Sequence, residues 1–349
     1  MLLEPDKNPL SLLANLLSRE SVHNPDFDVI EDELVPTLVT SAETDAAPVT
    51  DITLSAGEGA YVPVRAILVN QQTGESFSVD SKAGDVLTVT ESWGGTAAAG
   101  ITSGDTFVVM PVAETEGSSS ESSITTVETQ GTNYTQIMRW PFDVTGTENA
   151  SKLYGGGDLG YQGRKAGIEF HKRMDLAFFF NEKNLDSAAK RRSTGGLNEF
   201  ITSYRQDMGA TFNLTTFYNF AEDFFRYGSK DKVAFISRGI GTQIAIQADS
   251  KVERVESAKS IGMHVTRLES PHGRLRLINH DSLEGPIFGG YGFIVDPENI
   301  GYRYLEGRDV MVKTNIQAPG DDVFKNEVFA EVGLFRSLEK THAVMTNGA

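Results

Sequence analysis

No cysteine occurs among the 349 residues, which excludes disulfides, thiolate nucleophiles and cysteine-ligated zinc. Stability must come from packing and association. Positive charge is also scarce, with 31 Lys and Arg facing 48 Asp and Glu for a formal charge of −17. A protein whose main work is gripping nucleic acid clusters Lys and Arg to displace counterions from phosphates, so that class is disfavoured. A container that touches a polyanion weakly, and lets it slide, is compatible with the charge. Long apolar runs are missing: no stretch of about 18 such residues appears. The opening Met1-Leu2-Leu3-Glu4-Pro5-Asp6 has no positive n-region. These absences predict a soluble chain with no membrane contact, made in the cytoplasm.

The common signatures of catalysis are absent as well. The six histidines, His23, His171, His264, His272, His280 and His342, show no His-Glu-x-x-His spacing and no consistent pairing with a carboxylate. No Gly-x-Ser-x-Gly elbow and no Walker-type Gly-Lys-Ser/Thr occurs. Val233–Ser237 followed by Gly239-Ile240-Gly241 looks like half a dinucleotide fingerprint, but Ile244 stands where the third glycine belongs. The bland reading is a strand, a turn and a helix in an α/β lobe. No cofactor, metal or catalytic residue is expected.

What is present fits a structural role. An apolar content of 39% suffices for a buried core, and the length suggests two lobes plus extensions. Thirty-four glycines with only 23% charged residues describe a loop-rich chain with much strand. The first 51 residues hold eleven Asp and Glu against Lys7 and Arg19, with five prolines, and cannot bury enough apolar surface alone. Within them Leu10, Leu12, Leu13, Leu16 and Leu17 recur at helical spacing. They predict a short amphipathic helix on an extended arm along which Phe27, Val29, Ile30, Leu34 and Val35 are exposed. Either the arm is floppy, or it becomes ordered on a neighbouring subunit.

From Ile52 to Val112 short strands alternate with turn signals such as Gln72-Thr73-Gly74-Glu75 and Ser103-Gly104-Asp105, a compact all-β module. Residues 114–135 are a low-complexity acidic and hydroxyl-rich bridge. The longest helix is expected from Asp158 to about Asp186, with Ala166, Phe170, Met174 and Ala177 as its apolar stripe. Arg164, Lys165, Glu169, Lys172, Arg173 and Asp175 populate its charged flanks. Phe178-Phe179-Phe180 reads as core in preference to a partner-binding face. Lys190-Arg191-Arg192 is either a solvated loop or an inter-subunit ion-pair cluster. Thr215–Tyr227 predicts a second helix with Phe217, Phe220, Ala221, Phe224 and Phe225 inward.

The order of these parts resembles the major capsid proteins of tailed bacteriophages with the Hong Kong 97-type fold, in particular the group similar to the phage SU-ten capsid protein. The resemblance runs from about residue 52 to 345. It rests on Gly74-Glu75, Gly84-Asp85, Leu87-Thr88-Val89 and Gly94-Gly95-Thr96, closing on Ala113 to Gly117, then on Asn133–Ile137 leading to Val144–Ala150. Gly195-Gly196-Leu197 follows, and then Phe293–Asp296, Tyr302-Arg303, Gly320-Asp321-Asp322, Lys325-Asn326-Glu327, Glu331–Leu334 and Lys340–Ala343. Tyr154-Gly155-Gly156-Gly157 and Trp140-Pro141 depart from the pattern.

The resemblance implies an α+β chain with an N-terminal arm, an extended β-hairpin loop, a peripheral lobe carrying a long spine helix, an axial α/β lobe and a β-rich module. On this chain these become an arm at 1–51, a β-rich module at 52–113 and an extended loop with entry strand at 114–150. The peripheral domain takes 151–230, the axial domain 231–290, and the return with the C-terminus 291–349. The implied function is a major capsid protein that assembles into the icosahedral head shell around the phage genome. Its partners would be copies of itself in hexamers and pentamers, a portal, a scaffold or decoration protein, and weakly touched double-stranded DNA. Leu12, Leu13, Leu16, Leu17, Phe27, Arg164, Glu169, Arg173, Arg191 and Arg192 are the expected subunit contacts. Two other classes stay open: a head-decoration or adhesin-like β-rich virion protein, and an enzyme of unrecognised type.

Overall fold

An apolar residue at every third or fourth position gives a helix one oily stripe, and the stripe decides where the helix lies. The computed structural model describes residues 18–114, 116–117, 123–151, 158–209, 213–247, 252–255 and 265–347. In it the long helix runs Asp158–Phe180, 23 residues or about 34 Å at 1.5 Å per residue. Ala166, Phe170, Met174, Ala177, Phe178 and Phe179 are all buried. The helix ends six residues before the expected Asp186, because Asn184–Asp186 pairs as a strand with Arg191–Ser193. Gly196 closes over this end. A Cβ there would lie 2.9 Å from the Phe178 carbonyl oxygen, so only glycine lets the backbones meet.

Chain contacts divide the molecule into two units, Met1–Val29 with Gln130–Ala349, and Ile30–Thr129. The first unit contains a seven-stranded sheet ordered Arg205–Asp207, Ala343–Thr346, Tyr291–Val295, Asp231–Ile236, Arg274–Asn279, Val265–Glu269, Val252–Val255. Its central strand Asp231–Ile236 reads as an unbroken apolar run from Val233 onward because both faces are covered. Val233 and Phe235 face the core that holds Phe178 and Phe179 of the long helix. Ala234 and Ile236 face a second core built with Phe217, Phe220, Ala221 and Phe224 of the helix Leu214–Phe224 and Ile240 and Ile244 of Arg238–Gln247. Thus the strand-turn-helix at Val233–Ile244, the half fingerprint of the sequence, is spent on packing. The expected axial strand around Ser260–Val265 lies outside the described residues up to residue 264. Two strands of this sheet, Tyr291–Val295 and Ala343–Thr346, come from the segment expected to return to the other lobe.

A five-stranded sheet completes this unit. Val323–Arg336 pairs over ten residues with Gln136–Thr145, and also with Ile300–Leu305 and Met311–Lys313. Arg19–Val22 adds a parallel edge along Ile300–Leu305. Met138, Trp140 and Phe142 alternate toward the core under the long helix. The Trp140 indole Nε1 donates to Glu169 Oε2 at 3.0 Å, and the Arg173 guanidinium lies 3.9 Å from the ring centroid. Arg173→Ala should therefore lower the unfolding free energy by about 1 kcal/mol in urea titrations, with Arg173→Lys recovering part of it. An unchanged midpoint would show that the stacking contributes nothing.

The second unit is a six-stranded antiparallel sheet in the order Leu38–Thr40, Thr106–Val112, Ala66–Asn70, Ser76–Ala83, Val86–Thr90, Asp51–Thr53. Its two ends meet. Ser41 bridges Leu54, the Ala42 amide donates to the Thr53 carbonyl at 2.8 Å and the Ser55 amide to the Thr40 carbonyl at 2.9 Å. The sheet is a closed barrel without free edges. Val39, Ile52, Leu68, Phe77, Val79, Leu87 and Phe107 fill it, with Phe77 edge-on to Phe107 at 5.9 Å. It starts before the expected module boundary: Leu38–Thr40 lies in the segment read as arm, and supplies the strand that completes the ring.

Candidate subunit interface

Single exposed apolar residues are ordinary on a surface, whereas a group of large ones on one segment asks for a partner. Two such groups stand out. Leu34 is 94% exposed, Val127 85% and Ile30 68%. They lie on two chain segments tied side by side: the Thr126 hydroxyl donates to Asp32 Oδ1 at 2.8 Å, and the Thr129 hydroxyl to the Glu31 carbonyl at 3.3 Å. A second group comprises Val310, Val312, Ile316 and Phe324, around the short edge strand Met311–Lys313. Ile246 at the end of its helix and Ile287 in the short turn Gly285–Phe288 are exposed singly on separate segments. These side chains fit contact with another protein surface better than any small-molecule chemistry.

The residues expected at subunit contacts are distributed differently. Leu12, Leu13, Leu16 and Leu17 lie outside the described residues. Phe27 is a correction: it is only 8% exposed, with its ring against the backbone of its own chain at Gly333. Val29 is covered too, while Ile30 and Leu34 of the same segment are not. Glu169 and Arg173 spend their polar groups on Trp140, as described. Arg192 bonds Glu331 Oε1 at 2.9 Å, and Arg308 approaches the other oxygen of that carboxylate at 2.6 Å. Since Glu331 is 2% exposed, this is a buried carboxylate held by two cations of the same chain. Arg164 and Arg191 are exposed.

Sequence reasoning missed the histidine pairing. His280 and Asp175, 105 residues apart, are both fully buried at 3.1 Å. The Ser282 amide donates to His280 Nδ1 at 3.1 Å, so the proton sits on Nε2 and is donated to Asp175. Asp175, read as part of the charged flank, points into the core. A His–carboxylate pair near a serine suggests hydrolysis, but the geometry does not serve it. Ser282 meets the imidazole through its backbone amide and not its hydroxyl, and Phe179 and Phe235 stand edge-on to the ring. Both side chains are fully buried, and the pair joins the long helix to the end of the strand Arg274–Asn279.

A second buried knot joins three loops. Lys232 Nζ donates to the Tyr227 carbonyl at 3.0 Å and to that of Thr341. Burial pushes its pKa down to about 8 against the pull of Asp296. Asp296 accepts from the Ser229 amide at 2.7 Å, while its own amide donates to His342 Nδ1 at 3.1 Å. His342 Nε2 in turn donates to the Ser337 carbonyl. Among the described residues no group of His, Asp and Glu could hold a metal ion, and no helix is long and apolar enough to cross a membrane.

Comparison with known proteins agrees with this architecture. The family model of the SU10 major capsid protein matches residues 1–349. The major capsid protein of Pseudomonas phage PaMx41 is 25% identical over 301 residues, which is 81% of this chain and 71% of that protein. Among solved structures, a chain of Microbacterium phage Oxtober96 aligns at TM-score 0.50 and 14% identity, covering 99% of this chain and 94% of its own. The capsid of an empty GTA particle aligns at TM-score 0.52 and 9% identity, covering 100% and 92%. At those identities the structures show the shared Hong Kong 97-type fold. With the full-length family match and the same fold, the chain belongs to the SU10 major capsid protein family, the subunits that form the phage capsid shell.

Proposed function

We propose that copies of this chain assemble in the host cytoplasm as hexamers and pentamers of a closed icosahedral head that encloses double-stranded DNA. A portal protein, and a scaffold or decoration protein, would be the further partners. The observation that carries the reading is the uncovered apolar surface on a chain whose cores are otherwise well filled, above all Leu34 at 94% and Val127 at 85% exposure. Burying each such side chain on a neighbour contributes about 2 kcal/mol. A closed shell repeats the contact by symmetry, so modest pair affinity becomes particle stability. Leu12, Leu13, Leu16, Leu17, Arg164 and Arg191 complete the proposed contact set. The near absence of clustered positive charge suits weak, sliding contact with the genome.

The chain expressed alone, or with its scaffold, should give closed hollow particles by electron microscopy and sediment as a megadalton species. A species that stays a single compact subunit at high concentration would sink the reading. An adhesin-like protein would give that result or a small oligomer.

A further inference from the structure

We propose that Asp26 and Asp28, together with Lys190 and Arg191 of the hairpin 184–193, form a self-complementary patch that meets the same patch on a second copy across a two-fold axis; this rests on the reading that copies of the chain assemble. Alternation is the first observation. In the strand Asp26–Glu31 the rings and branches of Phe27 and Val29 are buried, so Asp26 and Asp28 point outward from a strand pinned to the core. On the hairpin Arg192 turns inward to Glu331, which leaves its neighbour Arg191 on the opposite face, next to Lys190. All four are exposed, and among the described residues none of their side chains makes a hydrogen bond or an ion pair.

The two elements are joined through Thr135. Its amide donates to the Pro25 carbonyl at 2.7 Å, one residue before Asp26, and Arg192 Nε approaches its carbonyl at 3.5 Å, one residue after Arg191. Leu185 on the hairpin and Ile137 on the adjoining strand Gln136–Thr145 are each 44% exposed. The hairpin also keeps its charge at a local cost. Lys190 has a φ of 51°, a left-handed conformation that glycine or asparagine adopts more easily. Asp186 holds that turn by accepting from the Ala188 and Ala189 amides at 3.1 Å.

A polyanion would meet the two acids as well as the two cations, so nucleic acid is a poor occupant. A second copy is a good one. A two-fold rotation lays the acids of each patch on the cations of the other, and Leu185 and Ile137 leave water together. The charges then set the orientation of the pair, while the apolar residues add affinity.

Two variants test the contact. Asp26→Lys with Asp28→Lys makes the patch wholly cationic, and Lys190→Glu with Arg191→Glu makes it wholly acidic. Since all four positions are exposed, circular dichroism of the subunits should match the parent. In low salt each variant alone should need a roughly tenfold higher concentration to associate in sedimentation. An equimolar mixture should recover the parent's association, because opposite patches now face each other across copies. The exchange of all four residues in one chain should recover it too. Charges that act only within their own subunit are not rescued by mixing. Native mass spectrometry of the mixture should show complexes holding one copy of each variant. Electron microscopy of the parent decides the shell reading separately: a parent without shells, whose variants pair only when mixed, would sink that reading and leave the contact standing. Variants that each associate as the parent does, or a mixture and an exchanged chain that stay unrescued, would overturn the two-fold patch.

Discussion

A chain carrying Leu34→Asp together with Val127→Asp should fold normally and fail to form particles. At 94% and 85% exposure these side chains contribute almost nothing within the subunit, so each substitution should change its stability by no more than about 0.5 kcal/mol. In the proposed contact the accounting differs. Each loses about 2 kcal/mol of burial on the neighbour, and a carboxylate is asked to leave water in its place. Some 4 kcal/mol per contact raises the dissociation constant roughly a thousandfold, and the loss recurs at every equivalent contact. Circular dichroism and urea unfolding should match the parent chain, while electron microscopy and sedimentation show subunits or small oligomers. Normal shells from the double variant would remove Leu34 and Val127 from the interface. Particles lost together with the fold would show that the two residues support the subunit itself.

Much of the fold was legible where a strong period met dense apolar residues. Ala166, Phe170, Met174 and Ala177 announce the long helix because a stripe at that spacing has one place to go, against a sheet. The helix Leu214–Phe224 is announced in the same way by Phe217, Phe220, Ala221 and Phe224. In the barrel, Gly74, Gly84 and Gly104 all have positive φ, so the turns were readable from residues that tolerate it. Its closure was not readable. Leu38–Thr40 is a strand of three residues, too short for alternation to register, and its acidic surroundings resemble an arm. The parallel pairing of Arg19–Val22 with Ile300–Leu305 leaves no local trace either, because the partner is some 280 residues distant.

The polar interior was the least legible part. Asp175 follows Met174 on a helix rich in charged residues, and nothing at its own position says that it faces His280 and not water. One signal did exist. Lys232 opens the apolar run Val233-Ala234-Phe235-Ile236, and a lysine entering a strand buried on both faces must find acceptors for its protons. The interface followed the same logic in reverse. Glu169, Arg173 and Arg192, three of the residues expected at subunit contacts, have partners in their own chain, whereas Leu34 and Val127 are bare. A cation's partner depends on tertiary structure, whereas an apolar group without cover is evident only once the core is known.

Acid should weaken the subunit through His342. Its imidazole is fully buried, with Nδ1 occupied by the Asp296 amide and Nε2 by the Ser337 carbonyl, so the ring is needed in its neutral form. Burial pushes its pKa down to about 4, the Ser337 carbonyl works in the other direction, and the Lys232 cation adds to the depression. An unfolded histidine titrates near 6.5. Above that value both states are neutral, and the full stability is present. As pH falls below it the unfolded chain binds a proton that the folded chain refuses, so stability drops by about 1.4 kcal/mol per pH unit until the folded pKa is reached. Over the whole window His342 alone should cost about 3 kcal/mol. Glu339 acts lower on the scale: burial raises its pKa, but hydrogen bonds from Ser203 and Thr202 outweigh this and hold its carboxyl below the usual range. Its contribution is therefore lost only as pH falls through the carboxylate range. Urea unfolding of the unassembled chain between pH 7 and pH 4 should separate the two. His342→Gln, which cannot titrate, should start less stable at pH 7 and lose less on acidification, with the difference in slope close to one proton. Equal slopes for the parent and the variant between pH 6.5 and pH 4.5 would show that His342 is protonated in the fold, and that the knot around Lys232 and Asp296 opens without resisting acid.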